Sequence, residues 1–188
     1  MDKRELLLDT ALRLFVEFGF HATPTSKIAK QAGIANGTLF YFFSTKDELI
    51  KALYVDIKSR MTAYILETIK DETSLYGIIK GYYSAPLYWA LEHKTEFQFV
   101  TQFSNSPYLN QIAADEIQKH IQPFLDIITR GVQEGVLKPI DVDIIFALIR
   151  GHTFSINQYL IEKPFPKAEQ DKVIDETFYL LWGMINNR

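Results

Sequence analysis

The 188 residues include no cysteine. Disulfide staples, thiolate nucleophiles and cysteine-held zinc are therefore excluded. No apolar run approaches the roughly eighteen residues that a membrane-crossing helix needs. The opening residues, Met1-Asp2-Lys3-Arg4-Glu5, lack the basic-then-apolar order of a signal peptide, so a cytoplasmic protein with no membrane partner is expected. Period-two alternation, internal repeats and low-complexity tracts are also missing, which leaves no basis for strands. There is no phosphate-cradling Gly-rich loop and no Gly-x-Ser-x-Gly elbow. The histidines, His21, His93, His120 and His152, are scattered; Glu116 and His120 stand four apart, but no second pair completes a metal site. A lone His–Glu pair is far more often a surface ion pair than a ligand set. No enzyme activity, no cofactor and no metal are expected.

Acidic residues are scarce in one place. Net charge is −3, yet residues 18 to 46 contain no Asp or Glu while holding Lys27, Lys30, Lys46 and His21. Residues 47 to 188 hold 14 basic and 19 acidic side chains. An acid-free segment suits phosphate contact, and acidic charge beyond a Debye length of ~8–10 Å does not oppose it.

What the chain has in quantity is helical periodicity, with 47% hydrophobic residues and 14% aromatic ones. Leu7, Ala11, Leu14, Phe15 and Phe18 define one buried face of a first helix from Lys3 to Phe18, ended by Gly19. Thr23 is expected to cap a second helix, with Pro24 at its first position. Gly33 stops that helix, and a short third one covers Asn36 to Phe43, with Ile34 and Leu39 filling beneath the pair. Thr45-Lys46-Asp47-Glu48 is a capping box in which Thr45 and Glu48 satisfy each other's backbone donors, opening a fourth helix that runs towards Lys70. Downstream helices are expected over Ser74 to Glu92, Thr95 to Phe103, Tyr108 to Glu134, Val142 to Ile161 and Lys167 to Ile185, with Pro86 and Pro123 as possible breaks. The fold class is all-α.

Two short helices joined by a glycine turn form a helix-turn-helix, whose second helix enters the major groove in its DNA-binding version. The run Gly33-Ile34-Ala35-Asn36-Gly37-Thr38-Leu39-Phe40-Tyr41-Phe42-Phe43, followed by Lys46-Asp47-Glu48-Leu49, resembles the N-terminal domain of the TetR family of bacterial regulators, where the motif reads roughly A-G-V-S-K-G-T-L-Y-Y-H-F-x-x-K-E-E-L. The likeness extends back to Phe18-Gly19-Phe20 and Ala22-Thr23 and covers about the first quarter of the chain. Departures are Ala35 for the usual serine, which passes the cap to Asn36, Asn36 for lysine, Phe42 for histidine and Pro24 for serine or threonine. The resemblance implies a three-helix DNA-binding domain, residues 1–46, joined by the fourth helix to a ligand-binding and dimerisation domain, residues 47–188. A homodimer on a palindromic double-stranded DNA operator, most often a repressor released by a small lipophilic or aromatic effector, goes with it.

Roles follow from reach. Gly37 lets the third helix approach the backbone closely, Thr38 suits a base edge or a thymine methyl, and Asn36 suits adenine. Thr25, Ser26 and Lys27 suit the opposite groove edge, and Phe42 faces the groove while Phe43 and Phe40 pack inward. Tyr41 and Lys46 are phosphate contacts by the resemblance. The C-terminal aromatics either pack helices or line a lipophilic pocket; the pocket candidates are Tyr82, Tyr83, Trp89, Gln102, Phe103, Phe124, Phe154 and Gln158, with His152 and Asn157 as further isolated polar groups. For the dimer interface the helical stripes give Ile145, Leu148, Ile149, His152 and Ile156, then Phe178, Leu181, Trp182 and Ile185, with Gly151 and Gly183 beside them. The competing reading is an all-helical lipophile carrier with no DNA role; the acid-free helix-turn-helix separates the two.

Overall fold

The computed structural model describes residues 2–112 and 114–187, those at 114–116 as backbone only. The expected Glu116–His120 pair thus lies outside the described residues on its acidic side. The described elements are α1 (Lys3–Phe18), α2 (Thr25–Gln31), α3 (Asn36–Phe42), α4 (Lys46–Ile69), α5 (Leu75–Glu92), α6 (Lys94–Ser104), a 3-10 turn (Pro107–Gln111), α7 (Ala114–Gln133), α8 (Val142–Glu162) and α9 (Lys167–Ile185). No named strand occurs among the described residues; one antiparallel bridge, Leu137 to Asn186, ties the end of α9 to the loop before α8. Pro86 and Pro123 lie inside α5 and α7, so neither breaks its helix. The chain packs as two compact units, Met1–Ser59 with His93–Ala114, and Arg60–Glu92 with Asp115–Arg188. Packing therefore draws its line elsewhere than a functional division after residue 46, because α6 and the 3-10 turn join the N-terminal helices.

In the first unit, α1 buries Leu7, Leu8, Ala11, Leu12, Leu14 and Phe15. Phe18 departs from the expected stripe and is exposed, whereas Phe20 is buried. The reason is Gly19, whose φ of +78° reverses the chain and swings Phe20 back onto Phe15, 5.4 Å between ring centres. Phe99 of α6 and Tyr108 of the 3-10 turn complete that cluster edge-on to Phe20. Thr23 does not cap α2. Its buried hydroxyl serves the Leu14 and Gly19 carbonyls at 3.2 and 2.9 Å, and Gln102 Nε2 donates to the Val16 carbonyl at 3.3 Å. The Val16 and Gly19 carbonyls at the end of α1 have no i+4 helical donor, so their demand outranks a cap. Pro24, extended at φ −72°, ψ 150°, takes the cap position instead.

The second unit centres on α5, whose Ile79, Tyr83 and Leu87 meet Ile145, Ile149 and Leu160 of α8 and Ile174, Phe178, Leu181, Trp182 and Ile185 of α9. Tyr83 is fully buried and its hydroxyl donates to Thr177 Oγ1 at 2.8 Å, which keeps the phenol satisfied in the core. Burial pushes its pKa up to about 12, so the donor form is the one present. Gly81 lies where a Cβ would strike Ile69 Cγ2 at 2.1 Å, so α5 can approach the end of α4 only with glycine there.

Candidate nucleic-acid interface

The turn between α2 and α3 is built from backbone bonds. Gly33, at φ +66°, donates to the Lys30 carbonyl at 3.2 Å, and Ile34 donates to that of Ala29 at 2.9 Å. This pair of bonds is a Schellman ending, and it needs the left-handed conformation glycine adopts freely. Ala29 and Ile28 are buried beneath it, and Ile34 is half-buried. The tight exit leaves Ala35 extended at the cap, where its carbonyl accepts from Thr38 and Leu39. Asn36 is consequently the first helical residue rather than the cap, and its side chain stands exposed.

Helical spacing divides the rest of α3 into stripes. Leu39 and the following Phe43 face inward and are buried, as expected for Phe43. Thr38 and Phe42, four apart, are half-buried, with Phe42 set against Tyr41 and Phe43 at 5.4 and 6.4 Å. Asn36 with Phe40, and Gly37 with Tyr41, form the outward stripes; Tyr41 is 84% exposed. Phe40 corrects its core reading, since only positions 39 and 43 point beneath the helix.

Thr25 and Ser26 open α2, half-buried and exposed respectively, and Lys30 is exposed further along. Lys27, one residue on from Ser26, carries its ammonium 3.3 Å from the centre of the Phe18 ring. That cation–π seat explains what the exposed Phe18 does in this unit. Lys46 opens α4; partial burial holds its pKa below the ordinary lysine value, opposed by the Asp47 charge. The cap before it differs from a reciprocal box. Thr45 Oγ1 accepts from the Glu48 N–H at 3.1 Å, but the Glu48 carboxylate reaches past Thr45 to Ser44, accepting from its N–H at 2.9 Å and its hydroxyl at 2.5 Å. The Ser44 hydroxyl bond chiefly lowers the Glu48 pKa. Tyr108 is hydrogen bonded to Asp47, so the two acids nearest Lys46 are each engaged by a neighbour within the same unit. Arg4, too far from the motif in sequence to be grouped with it, adds a guanidinium 5.5 Å above Phe43.

The other candidates separate by unit. Gln102 and Phe103 belong to the first, where Gln102 serves Val16 and Phe103 stacks on Tyr54 at 4.1 Å. The second unit holds Tyr82, stacked on Phe124 at 4.2 Å, together with buried Tyr83 and Trp89, half-buried Gln158 and exposed Phe154. Asn157 is buried there with no hydrogen bond to Oδ1 among the described residues, and the same holds for His152 Nδ1.

The dimer stripe requires correction. Ile145, Ile149, Phe178, Leu181, Trp182 and Ile185 are buried inside their own unit, and His152 and Ile156 are half-buried. Of the nine, Leu148 alone is exposed. The free apolar face lies on the other side of the same helices: Ile144, Leu148 and Tyr159 on α8, and Tyr179, Leu180 and Met184 on α9. Both helices carry apolar residues on more than one face, so spacing alone assigns a buried face without saying what buries it.

A glycine-turned helix pair with an outward polar and aromatic face, on a segment with three lysines and no acid, defines a helix-turn-helix DNA-binding protein. Residues 7–53 match the family described as bacterial regulatory proteins, tetR family. The N-terminal segment thus carries the DNA-binding domain of TetR-family regulators, and the chain as a whole is similar to transcriptional regulators of that family. It is 26% identical to the transcriptional repressor KstR2 of Mycobacterium tuberculosis, over 81% of this chain and 78% of that one. It is 28% identical to the fatty acid metabolism regulator protein of Bacillus subtilis, over 70% and 69% of the two chains. A solved tetR family transcription regulator from Shewanella sp. PV-4 is similar over the whole of both chains, with 26% identity and a TM-score of 0.90. These relatives are transcription regulators rather than enzymes.

Proposed function

We propose that this regulator is a cytoplasmic homodimer that represses from a palindromic operator and is released by a small lipophilic effector. The observation that carries it is the outward apolar face of α8 and α9, with Tyr179 at 73% and Leu180 at 64% exposure. A second copy about a two-fold axis would bury that face in a four-helix bundle. Gly151 and Gly183 are exposed beside it and admit close helix approach. Two copies would present their α3 helices to half-sites ~34–36 Å apart, or a multiple of it.

Within each copy, Asn36 and Thr38 are assigned to base edges, Tyr41 and Lys46 to phosphates, and Thr25, Ser26 and Lys27 to the far groove edge. Gly37 gives room for close approach, and Phe42 lends its half-exposed edge. The effector belongs to the second unit, whose aromatic interior and unsatisfied Asn157 Oδ1 and His152 Nδ1 suit an apolar body with a few polar groups. The name of the B. subtilis relative supports a fatty-acid-like class. α4 runs from Lys46 in the first unit to Ile69 in the second, so it is the direct route by which effector binding would change half-site spacing. Coupling of ~1–3 kcal/mol is typical.

Sedimentation of the Tyr179→Glu, Leu180→Glu double variant tests the assembly. Folded monomers that lose tight binding to a two-half-site duplex are expected, and an intact dimer overturns it. Native mass spectrometry of the purified protein tests the effector, through a bound small molecule whose addition lowers operator affinity.

A further inference from the structure

Phe40 is the recognition-helix side chain to which the roles above give no task. It is 43% exposed in a two-turn helix whose inward positions are filled by Leu39 and Phe43. Tyr41, Phe42 and Phe43 form a chain of ring contacts, and among the described residues Phe40 takes part in none. Asn36 precedes it by four residues, so the two share one outward stripe, ~6 Å apart along the axis. The phenyl ring carries neither donor nor acceptor, so it cannot hold a phosphate oxygen or a base amide. In the major groove the apolar partner on offer is the 5-methyl group of thymine.

We infer that Phe40 reads thymine through its 5-methyl group, one or two base pairs from the base that Asn36 holds. The spacing follows from the stripe, since ~6 Å along the helix spans between one and two base steps of ~3.4 Å. This inference rests on the DNA-binding reading of α3 and adds a specificity that the amide of Asn36 does not supply. A ring that lay only along sugar and phosphate would gain contact area without telling thymine from any other base.

The test uses the full-length protein and a randomised duplex from which a bound site is selected. Each thymine of that site is then replaced singly by deoxyuridine, which removes the methyl group and leaves every hydrogen bond. For the wild type, one thymine per half-site should lose about three- to fivefold in affinity, the value of one buried methyl. Phe40→Ala should bind that thymine and its deoxyuridine equally and relax selection at that pair, with the salt dependence unchanged. Alanine at an exposed helical position favours the helix, so loss of fold is not a competing outcome. Phe40→Tyr keeps the ring and should keep the discrimination. An enriched site at which no deoxyuridine replacement separates wild type from Phe40→Ala overturns the inference alone. Failure to enrich any sequence overturns the DNA-binding reading and the inference with it.

Discussion

The two units of this chain present apolar residues to the reader in different ways. In the first, the helix-turn-helix elements are two turns long and each has one inner side: Ile28 and Ala29 on α2, Leu39 on α3. In the second, α8 and α9 are 21 and 19 residues long and carry apolar side chains on more than one face. A short helix with one apolar side has a single way to bury it. A long helix with two apolar faces has two, and only packing says which is buried within the chain and which is left exposed.

That contrast is broken most directly at adjacent faces of α9. Phe178→Ala should cost ~3–5 kcal/mol of unfolding free energy, because a fully buried ring meeting Tyr83 and Trp182 leaves a cavity. Leu180→Ala, two residues on, should cost well under ~1 kcal/mol in a Tyr179→Glu background, since its side chain faces out. Urea denaturation of both variants in that background measures the pair. Equal costs would mean that the inner and outer faces have been assigned the wrong way round.

In the first unit the matching strike is at a backbone position. Gly33→Ala forces a side chain into the left-handed region at φ +66° and should cost ~1–2 kcal/mol, although open space surrounds the position. Because the strain sits between α2 and α3, duplex affinity should fall alongside the melting temperature. A variant as stable as the parent would show that the turn relaxes without harm to the Schellman ending.

These differences also explain how much could be read beforehand. The bounds of α1 and α9 follow from spacing and punctuation, as do Gly33 and the inward Phe43. Thr23 shows the limit: a threonine before proline looks like a cap, and nothing local reveals that its hydroxyl turns back to the Gly19 and Leu14 carbonyls. Asn36 is a second case, displaced from the cap by one residue because the Ile34 bond fixes where α3 begins. By composition Gln102 and Phe103 group with the pocket aromatics, while their partners Val16 and Tyr54 lie far away in sequence. Residue types announce local bonds well and distant ones hardly at all.

A milder probe of the second unit is pH. Burial holds the His152 imidazole below the ordinary histidine pKa, so the folded chain resists a proton that the unfolded chain accepts. The unfolded state therefore binds more protons as pH falls through about 6.5, and stability declines there, while above that range both states are neutral and nothing changes. His152→Asn should flatten the part of the slope between about pH 7.5 and 5.5 that this residue contributes. Urea midpoints for parent and variant at the two pH values measure it, and parallel slopes would place the imidazole in a solvated setting.

The smallest effect expected lies at the seat of Lys27. Its ammonium rests on the Phe18 ring, both residues being part of the first unit. Such a contact at a partly exposed site contributes ~0.5–1 kcal/mol. Holding the long side chain in place also reduces the entropy lost when it meets a phosphate. Phe18→Leu keeps apolar bulk and removes the ring face, so duplex affinity should fall two- to fivefold, on the order of ~0.5–1 kcal/mol, with thermal stability nearly unchanged. Lys27→Ala should fall further and reduce the salt slope by about one unit. The double variant decides between positioning and packing. If Phe18 acts through Lys27, adding Phe18→Leu to Lys27→Ala should cost nothing more, because the cation it seats is gone. Additive losses would give Phe18 its own contact with DNA, and an unchanged salt slope in Lys27→Ala would remove that lysine from the interface.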